Sequence, residues 1–88
     1  MWYVYALVSK KDKGLYIGIS QNPKRRLKMH NAGMTRSTKS RRPFLLVFQE
    51  SCGSRKAARE KEKFYKSGCG REQLKAFIKN KYSGVAQR

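Results

Sequence analysis

The sequence predicts a small α/β (α+β) domain in which a three-stranded antiparallel sheet is flanked by three helices, in the order ββαβαα. Three observations predict this fold: two strand-like segments joined by a polar turn, a continuous apolar run near mid-chain, and helix start or stop residues around three further segments. The 88 residues are enough for one domain with a modest core and too few for two.

The first two strands are expected to form a β-hairpin. Residues 2–9 are rich in aromatic and β-branched types and apolar on both faces, which is typical of a strand buried on both sides. Residues 10–14 supply a polar turn with a glycine, and residues 15–20 have the composition of the returning strand.

The register of this hairpin decides where its tyrosines point. If Leu7 lies opposite Tyr16, then Tyr5 lies opposite Gly18. Opposed residues in an antiparallel pair point the same way, so both tyrosines would then share one face of the sheet. A slip of one residue would separate them.

A short basic helix should follow the hairpin. Asn22 is a good N-cap, Pro23 suits the first helical position and Gly33 can end the helix, which predicts a helix over about 23–32. Within it Arg26 and His30 are four residues apart and lie on one side.

The second half of the chain should supply one more strand and two helices. The apolar run 44–49 is long enough for a buried strand and too short for a helix. Ser54 can cap a helix over about 55–67 that stops at Gly68. A third helix begins at Gly70 or Arg71, and its core-facing stripe is formed by Leu74, Phe77 and Ile78. We expect one domain over 1–82 and a frayed tail over 83–88.

The charge of the chain indicates a polyanionic partner. Lysine and arginine total 22 against 5 acidic residues, a net charge of +17, which makes nucleic acid the leading candidate and anionic membrane the rival. No apolar run approaches the roughly 20 residues that span a bilayer. The basic segment 33–42 is either a phosphate-contacting loop or a solvated one. The expected phosphate contacts are Lys24, Arg25, Arg36, Lys39, Arg41 and Arg42.

Several kinds of site are disfavoured by what the sequence lacks. Cys52 and Cys69 stand alone beside a single histidine, which supports neither a four-ligand zinc site nor a disulfide framework. With one histidine and one aspartate, Asp12, a Ser-His-Asp triad is hard to build. The thiols are expected to be reduced, and no signal peptide is recognisable at the start, so the cytoplasm is the expected location.

Phosphodiester hydrolysis remains within reach of the residues present. It needs a proton acceptor, a cation over the developing charge, and usually a divalent metal. A tyrosine, whose ordinary pKa is about 10, could accept the proton only if nearby cations such as Arg26 lowered that pKa. A carboxylate could hold Mg²⁺ or Mn²⁺. The candidate residues are Tyr3, Tyr5, Tyr16, Arg26, His30, Glu60 and Glu62.

Structural roles for the same residues are also open. The tyrosines could simply pack on the sheet, Arg26 could be a solvated helix charge and His30 could close its helix. Glu60 and Glu62 flank the apolar side of their predicted helix about equally, and both have lysines nearby to pair with. Spacing alone does not choose between the two glutamates.

Four blocks of the chain together resemble the GIY-YIG endonuclease superfamily. Tyr3-Val4-Tyr5 stands where the family has Gly-Ile-Tyr, and Tyr16-Ile17-Gly18 matches the second half of the motif. The helix 22–31 resembles the family's Arg-Leu-x-x-His-Asn helix, and 58–68 resembles the helix with its metal-binding glutamate. The likeness runs from Tyr3 to about Leu74. It is strongest to small stand-alone bacterial members, which resemble the N-terminal nuclease module of the excision-repair incision protein.

The resemblance implies a role for each matching residue. Tyr5 and Tyr16 would line the site, with Tyr16 the general base or water-positioning group, and Arg26 would stabilise the transition state. His30 would contact the phosphate or assist proton transfer. Glu62 matches the ligand of Mg²⁺ or Mn²⁺, which separates it from Glu60. The implied activity is metal-dependent DNA cleavage in repair or processing.

The chain departs from the family pattern in two ways. Tyr3 replaces the first glycine of the motif, which could narrow the groove. We expect no appended DNA-recognition domain, so binding would depend on the domain's own basic surface and would be salt-sensitive. Two other functions stay open: a non-catalytic DNA- or RNA-binding module that keeps the fold, and a subunit that a protein partner targets.

Overall fold

The computed structural model describes the backbone of residues 1–86 and the side chains of residues 1–80. It confirms the three-stranded antiparallel sheet, the three helices and the order ββαβαα. A single 3₁₀ turn, Lys39–Arg41, interrupts the long segment after the first helix. The elements are β1 (Trp2–Ser9), β2 (Leu15–Ser20), α1 (Pro23–Asn31), β3 (Phe44–Cys52), α2 (Arg55–Lys66) and α3 (Gly68–Ala86).

The hairpin has the register that places both tyrosines on one face of the sheet. Strand β1 lies at the centre of the sheet in the order β2-β1-β3, and in its pairing with β2, Tyr5 faces Gly18 while Leu7 faces Tyr16. Tyr5 and Tyr16 therefore lie on the same face. On its other side β1 pairs with β3, with a register shift between Ala6 and Leu7.

The sheet is covered on both faces, as the apolar pattern of the first strand predicts. One buried cluster contains Val4 and Ala6 of β1 together with Ala58 of α2 and Leu74 of α3. The other contains Tyr5, Leu7 and Phe44, and Leu27 of α1 packs against it. Strand β1 thus contributes residues to two small cores on opposite faces of the sheet. Tyr5 belongs to the core that is covered by α1.

Both predicted helix caps form. The Asn22 side chain accepts a hydrogen bond from the Arg25 backbone N–H at 3.1 Å, with Pro23 in the first turn. Ser54 Oγ likewise accepts from the Ala57 backbone N–H at 3.1 Å at the start of α2. These caps satisfy N–H groups that have no partner inside their own helices.

Two element boundaries differ from the prediction. Strand β3 continues past Gln49 to Cys52, since polar residues Glu50 and Ser51 still pair with β1 although they carry no apolar signal. Gly68 is the first residue of α3 rather than a stop, because the Ser67 carbonyl accepts from the Arg71 N–H at 2.8 Å and begins the helix. The predicted start at Gly70 or Arg71 is wrong by two or three residues.

The domain boundary expected after Tyr82 falls inside α3. The backbone is helical through Ala86, whereas residues 87–88 and the side chains from 81 onward lie outside the described residues. The expected fraying of 83–88 therefore stays a prediction. No helix within the described range has the combination of length and apolar character that crossing a bilayer requires.

The segment between α1 and β3 is tied to the hairpin turn. Arg41 Nε donates to Asp12 Oδ2 at 2.9 Å, and the Lys10 backbone N–H donates to the Pro43 carbonyl at 2.8 Å. The Asp12 carboxylate also accepts a hydrogen bond from the Gly14 N–H. The Arg41 guanidinium has the largest effect on the pKa of Asp12 and the Gly14 N–H the next largest, and together they lower it to about 2. The basic segment is therefore held to the hairpin at its second half.

Candidate active site

The phenol of Tyr5 lies on the sheet directly over Gly18. Tyr5 is 1% exposed, and a Cβ placed on residue 18 would come within 2.8 Å of its hydroxyl oxygen. Because real Cβ atoms essentially never approach so closely, glycine at position 18 is what gives the hydroxyl its place. The glycine of Tyr16-Ile17-Gly18 thus has a steric role toward Tyr5.

Groups from three other elements act on this hydroxyl. Burial raises the pKa of Tyr5, and Arg26 of α1 opposes the rise through hydrogen bonding and charge without cancelling it. Tyr16 of β2 and Glu62 of α2 raise the same pKa further. These influences bring Tyr16, Arg26 and Glu62 within electrostatic range of Tyr5. They also correct the expectation that cations lower the tyrosine pKa, because at Tyr5 burial outweighs Arg26 and the phenol stays protonated.

His30 is fully buried beside Tyr16. Their ring centroids are 4.8 Å apart in an edge arrangement, and the Phe44 ring lies 5.9 Å from the imidazole. Burial lowers the pKa of His30 from its ordinary value of 6.5, and the positive charge of Arg26 lowers it further. The imidazole is therefore neutral near pH 7.

The Thr38 hydroxyl is hydrogen-bonded to this imidazole. Thr38 Oγ1 lies 2.7 Å from His30 Nδ1 and 3.4 Å from the Thr35 carbonyl oxygen. The direction of the bond to His30 depends on the tautomer: Nε2 carries the lone pair when Nδ1–H donates to Thr38, and the proton when the hydroxyl donates to Nδ1. Sequence reasoning missed Thr38, because a threonine in a polar loop gives no sign that it will be 1% exposed.

Two buried nitrogen atoms at this site have no hydrogen-bond partner. They are Arg26 Nε and His30 Nε2, and no other buried side-chain nitrogen or oxygen among the described residues shares this state. Buried polar atoms are ordinarily hydrogen-bonded, so two unpaired ones a single helical turn apart indicate a position for a ligand. Arg26 also lines a cavity of about 470 Å³ together with Arg25 and Trp2.

The structure separates the two candidate glutamates. The Glu62 side chain is 15% exposed and influences Tyr5, and its Oε2 accepts a hydrogen bond from Lys66 Nζ at 3.1 Å. Glu60 is exposed and lines a basic groove on the outer surface of α2. Only Glu62 therefore joins the cluster around Tyr5.

The oxygen donors of this cluster suit a hard divalent cation. Mg²⁺ is commonly held by one or two carboxylates together with substrate phosphates and water, rather than by a complete protein cage. One carboxylate next to tyrosine hydroxyls fits that pattern. Across the described residues, no three histidine, cysteine, aspartate or glutamate side chains are grouped as a closed metal site would require.

The remaining predicted residues lie around this centre. Tyr3 lines a shallow pocket with Asn22 and Gln49 and is not among the groups that influence Tyr5. Arg41 is already engaged by Asp12 and lies 5.6 Å from the Phe44 ring, so the structure gives it a stabilising contact within the fold. The other predicted phosphate contacts are exposed: Lys24, Arg25, Arg36, Lys39 and Arg42.

Asn31 holds the helix that carries Arg26 and His30. Its Oδ1 accepts from the Phe44 backbone N–H at 2.6 Å and its Nδ2 donates to the Phe44 carbonyl at 3.1 Å. The end of α1 is thereby fixed to the start of β3. The resemblance includes Asn31 within a motif, but only the structure shows what its amide contacts.

Comparisons with known proteins agree with this arrangement. Residues 1–75 match the model of the GIY-YIG catalytic domain. The chain is 40% identical over 74 residues to UPF0213 protein SH2523 of Staphylococcus haemolyticus, covering 83% of this chain and 89% of that one. It is 43% identical over 63 residues to UPF0213 protein DP2720 of Desulfotalea psychrophila, where the match covers 69% of this chain and 56% of the relative.

A solved structure supports the same assignment. The solution NMR structure of the UPF0213 protein BH0048 from Bacillus halodurans superposes with a TM-score of 0.53 at 34% identity, covering 88% of this chain and 85% of that one. The matched region includes both halves of the tyrosine motif, α1 and α2. The chain therefore belongs to the GIY-YIG nuclease superfamily, among the small UPF0213 proteins.

Proposed function

We propose that this protein is a divalent-metal-dependent DNA endonuclease that hydrolyses phosphodiester bonds in DNA repair or processing. The observation that carries the proposal is the meeting of Tyr5, Tyr16, Arg26 and Glu62 at one place, where Arg26 Nε and His30 Nε2 are buried and unpaired. A phosphate ester can accept from the first nitrogen, and a water molecule can form a hydrogen bond with the second.

Each side chain has a role that follows from its state. Arg26 binds the scissile phosphate and stabilises the charge that develops there, and its unpaired Nε is a donor free for that purpose. Tyr5 stays protonated, so its hydroxyl can donate a hydrogen bond to the attacking water or the phosphate while its oxygen accepts from Arg26. Tyr16 is then the tyrosine left to activate water. His30 adds a neutral imidazole beside the Tyr16 ring.

Glu62 is the residue that would hold Mg²⁺ or Mn²⁺. The cation supplies charge stabilisation at the leaving oxygen when it is bound. In the structure Lys66 occupies one carboxylate oxygen of Glu62. The Lys66 side chain is 56% exposed, so its ammonium can turn into solvent and leave the carboxylate oxygen of Glu62 to a cation.

The same Lys66–Glu62 pair favours a second candidate function. A carboxylate neutralised by lysine suits a basic module that binds DNA or RNA without cutting it, and the net charge of +17 supports such binding equally well. The two functions differ in whether added metal produces cleavage.

Cleavage of labelled single-stranded, duplex, flapped and branched DNA at low salt tests the proposal. We expect cutting with Mg²⁺ or Mn²⁺ and none with EDTA. Tyr16→Phe should slow the reaction by about 10²-fold or more, the scale for losing a general base, and Tyr3→Phe should retain it. Steeply salt-dependent binding of every substrate without cleavage would establish the binding module instead.

A further inference from the structure

A groove on α2 carries positive charge that neither the resemblance nor the active site uses. It has a volume of about 390 Å³ and is lined by Glu60 and by four exposed cations, Arg55, Lys56, Arg59 and Lys63, here called the α2 basic face. None of the four makes an ion pair with another described residue, whereas the neighbouring Lys61 and Lys66 do. The groove therefore keeps an uncompensated net charge of +3.

The α2 basic face is adjacent to the candidate metal ligand. At 3.6 residues per turn, Glu62 lies about 20° around the helix from Arg55 and about 60° from Arg59. Glu60 lies about 160° away from Glu62 on the same wheel. A molecule bound at Glu62 and extending toward solvent would therefore contact the α2 basic face.

The α2 basic face is also connected to the cavity beside Arg26. The guanidinium of Arg55 lies 5.6 Å from the centre of the Trp2 ring, and Trp2 lines that cavity together with Arg25 and Arg26. Cations of α1 and α2 are thus bridged by one aromatic side chain. A row of cations interrupted by Trp2 therefore leads from the cavity beside Arg26 to Arg55 on α2.

The length of the α2 basic face matches a stretch of nucleic acid backbone. Arg55, Arg59 and Lys63 follow an i, i+4, i+8 stripe, which extends about 12 Å along the helix. Phosphates of one DNA strand are spaced at about 3.4 Å along the duplex axis, so the stripe faces three to four of them. An occupant with repeated negative charge fits better than a single anion.

We propose that the α2 basic face binds the sugar–phosphate backbone of the DNA that enters the active site, as a track continuing from Arg26 past Trp2. This inference deepens the proposed function and rests on it for the identity of the bound polymer. The track assigns DNA binding to α2 in addition to the residues of α1 and the following loop that were expected from the sequence. It gives this domain a second point of attachment for its substrate.

Binding measured without cleavage tests the track. The variant Arg59→Gln with Lys63→Gln is compared with Lys75→Gln with Lys79→Gln, which removes the same charge from exposed positions of α3. Affinity for fluorescently labelled duplex DNA is measured by anisotropy in EDTA over a range of salt concentrations. Circular dichroism checks that both variants keep the wild-type helix content.

The α2 variant should lose about two phosphate contacts. The slope of log affinity against log salt should then fall by about 1.8, equivalent to a loss of affinity on the order of 10–100-fold at 0.1 M salt. The α3 variant should change the slope by less than half as much. Equal slopes for the two variants would overturn the track, whether or not the wild type cuts DNA.

The two proposals fail separately. If the wild type does not cut DNA but the α2 variant alone loses slope, the track stands and the nuclease activity does not. If the wild type cuts DNA and both variants bind it alike, the activity stands and the track is wrong.

Discussion

Gly18 controls the candidate site through the position of the Tyr5 hydroxyl. The hydroxyl of Tyr5 occupies the space that a side chain at position 18 would need. It is also the group on which Arg26, Tyr16 and Glu62 all act electrostatically. Moving this hydroxyl should therefore disturb the reaction without removing any proposed catalytic group.

Gly18→Ala should lower the cleavage rate by on the order of 10²-fold, the scale for a small misplacement of a reacting group. The new methyl group would push the Tyr5 phenol aside, because its carbon would lie 2.8 Å from the hydroxyl oxygen. Gly53→Ala is the matched control, since a Cβ at position 53 meets no atom within 4 Å. Equal single-turnover rates for the two variants would contradict this role for Gly18.

His30 should make the stability of the fold depend on pH. Its pKa is lowered by burial from the ordinary value of 6.5, so the unfolded chain takes up a proton before the folded one does. Stability then rises with pH where the unfolded state binds more protons, and the free energy of unfolding should fall as pH drops from 7 toward 5. Asp12, with a pKa of about 2, contributes its own loss only below about pH 4.

This pH effect can be measured directly because His30 is the only histidine. Urea unfolding at pH 7 and at pH 5 should show a smaller midpoint at pH 5 for the wild type and a smaller difference for His30→Gln. If that variant does not fold, NMR titration of the His30 ring in the wild type gives the pKa itself. A pKa at or above 6.5 would contradict the burial argument.

The elements of the fold differ in how well their sequences specify them. The hairpin was predictable but its register was not, because a first strand that is apolar on both faces selects no single pairing. The far end of β3 was not, because Glu50 and Ser51 are held by pairing with β1 and have no apolar pattern of their own. The start of α3 was misplaced because glycine at position 68 is ambiguous between a helix stop and a first residue.

Helix α1 depends on a contact that its own sequence does not reveal. Asn31→Ala removes both hydrogen bonds to the Phe44 backbone and should cost about 1–3 kcal/mol of folding stability. Because α1 carries Arg26 and His30, the cleavage rate should fall as well. Urea unfolding and single-turnover cleavage measure the two effects.

Asn80→Ala is a suitable control for this prediction. It removes an exposed asparagine from α3 and should leave both stability and rate near wild type. Indistinguishable stability in Asn31→Ala and Asn80→Ala would show that the contact with Phe44 does not hold α1 in place.

At the scale of the whole molecule, the candidate site exists only because four elements converge. Tyr5, Tyr16, Arg26 and Glu62 come from β1, β2, α1 and α2 in turn. The sequence identified all four candidates, and the family resemblance favoured Glu62 over Glu60. Their proximity, the buried state of Tyr5 and the contact of His30 with Thr38 depend on packing between distant segments, which no local pattern encodes.

The charge of the whole molecule explains binding more readily than it explains cleavage. A net charge of +17 attracts any polyanion, and this attraction is shared by the proposed nuclease and by the non-catalytic alternative. Glu62 distinguishes them through its partner: in the nuclease its carboxylate would hold Mg²⁺ or Mn²⁺, whereas in the binding module it would stay paired with Lys66.

Single-turnover cleavage of labelled DNA by the wild type, Glu62→Gln and Glu60→Gln, each with Mg²⁺, Mn²⁺ or EDTA, tests the central claim most directly. We expect the wild type and Glu60→Gln to cut at similar rates with metal and not with EDTA, and Glu62→Gln to be slower by about 10²–10³-fold. Cleavage by Glu62→Gln at the wild-type rate, or cleavage by the wild type in EDTA, would contradict the account.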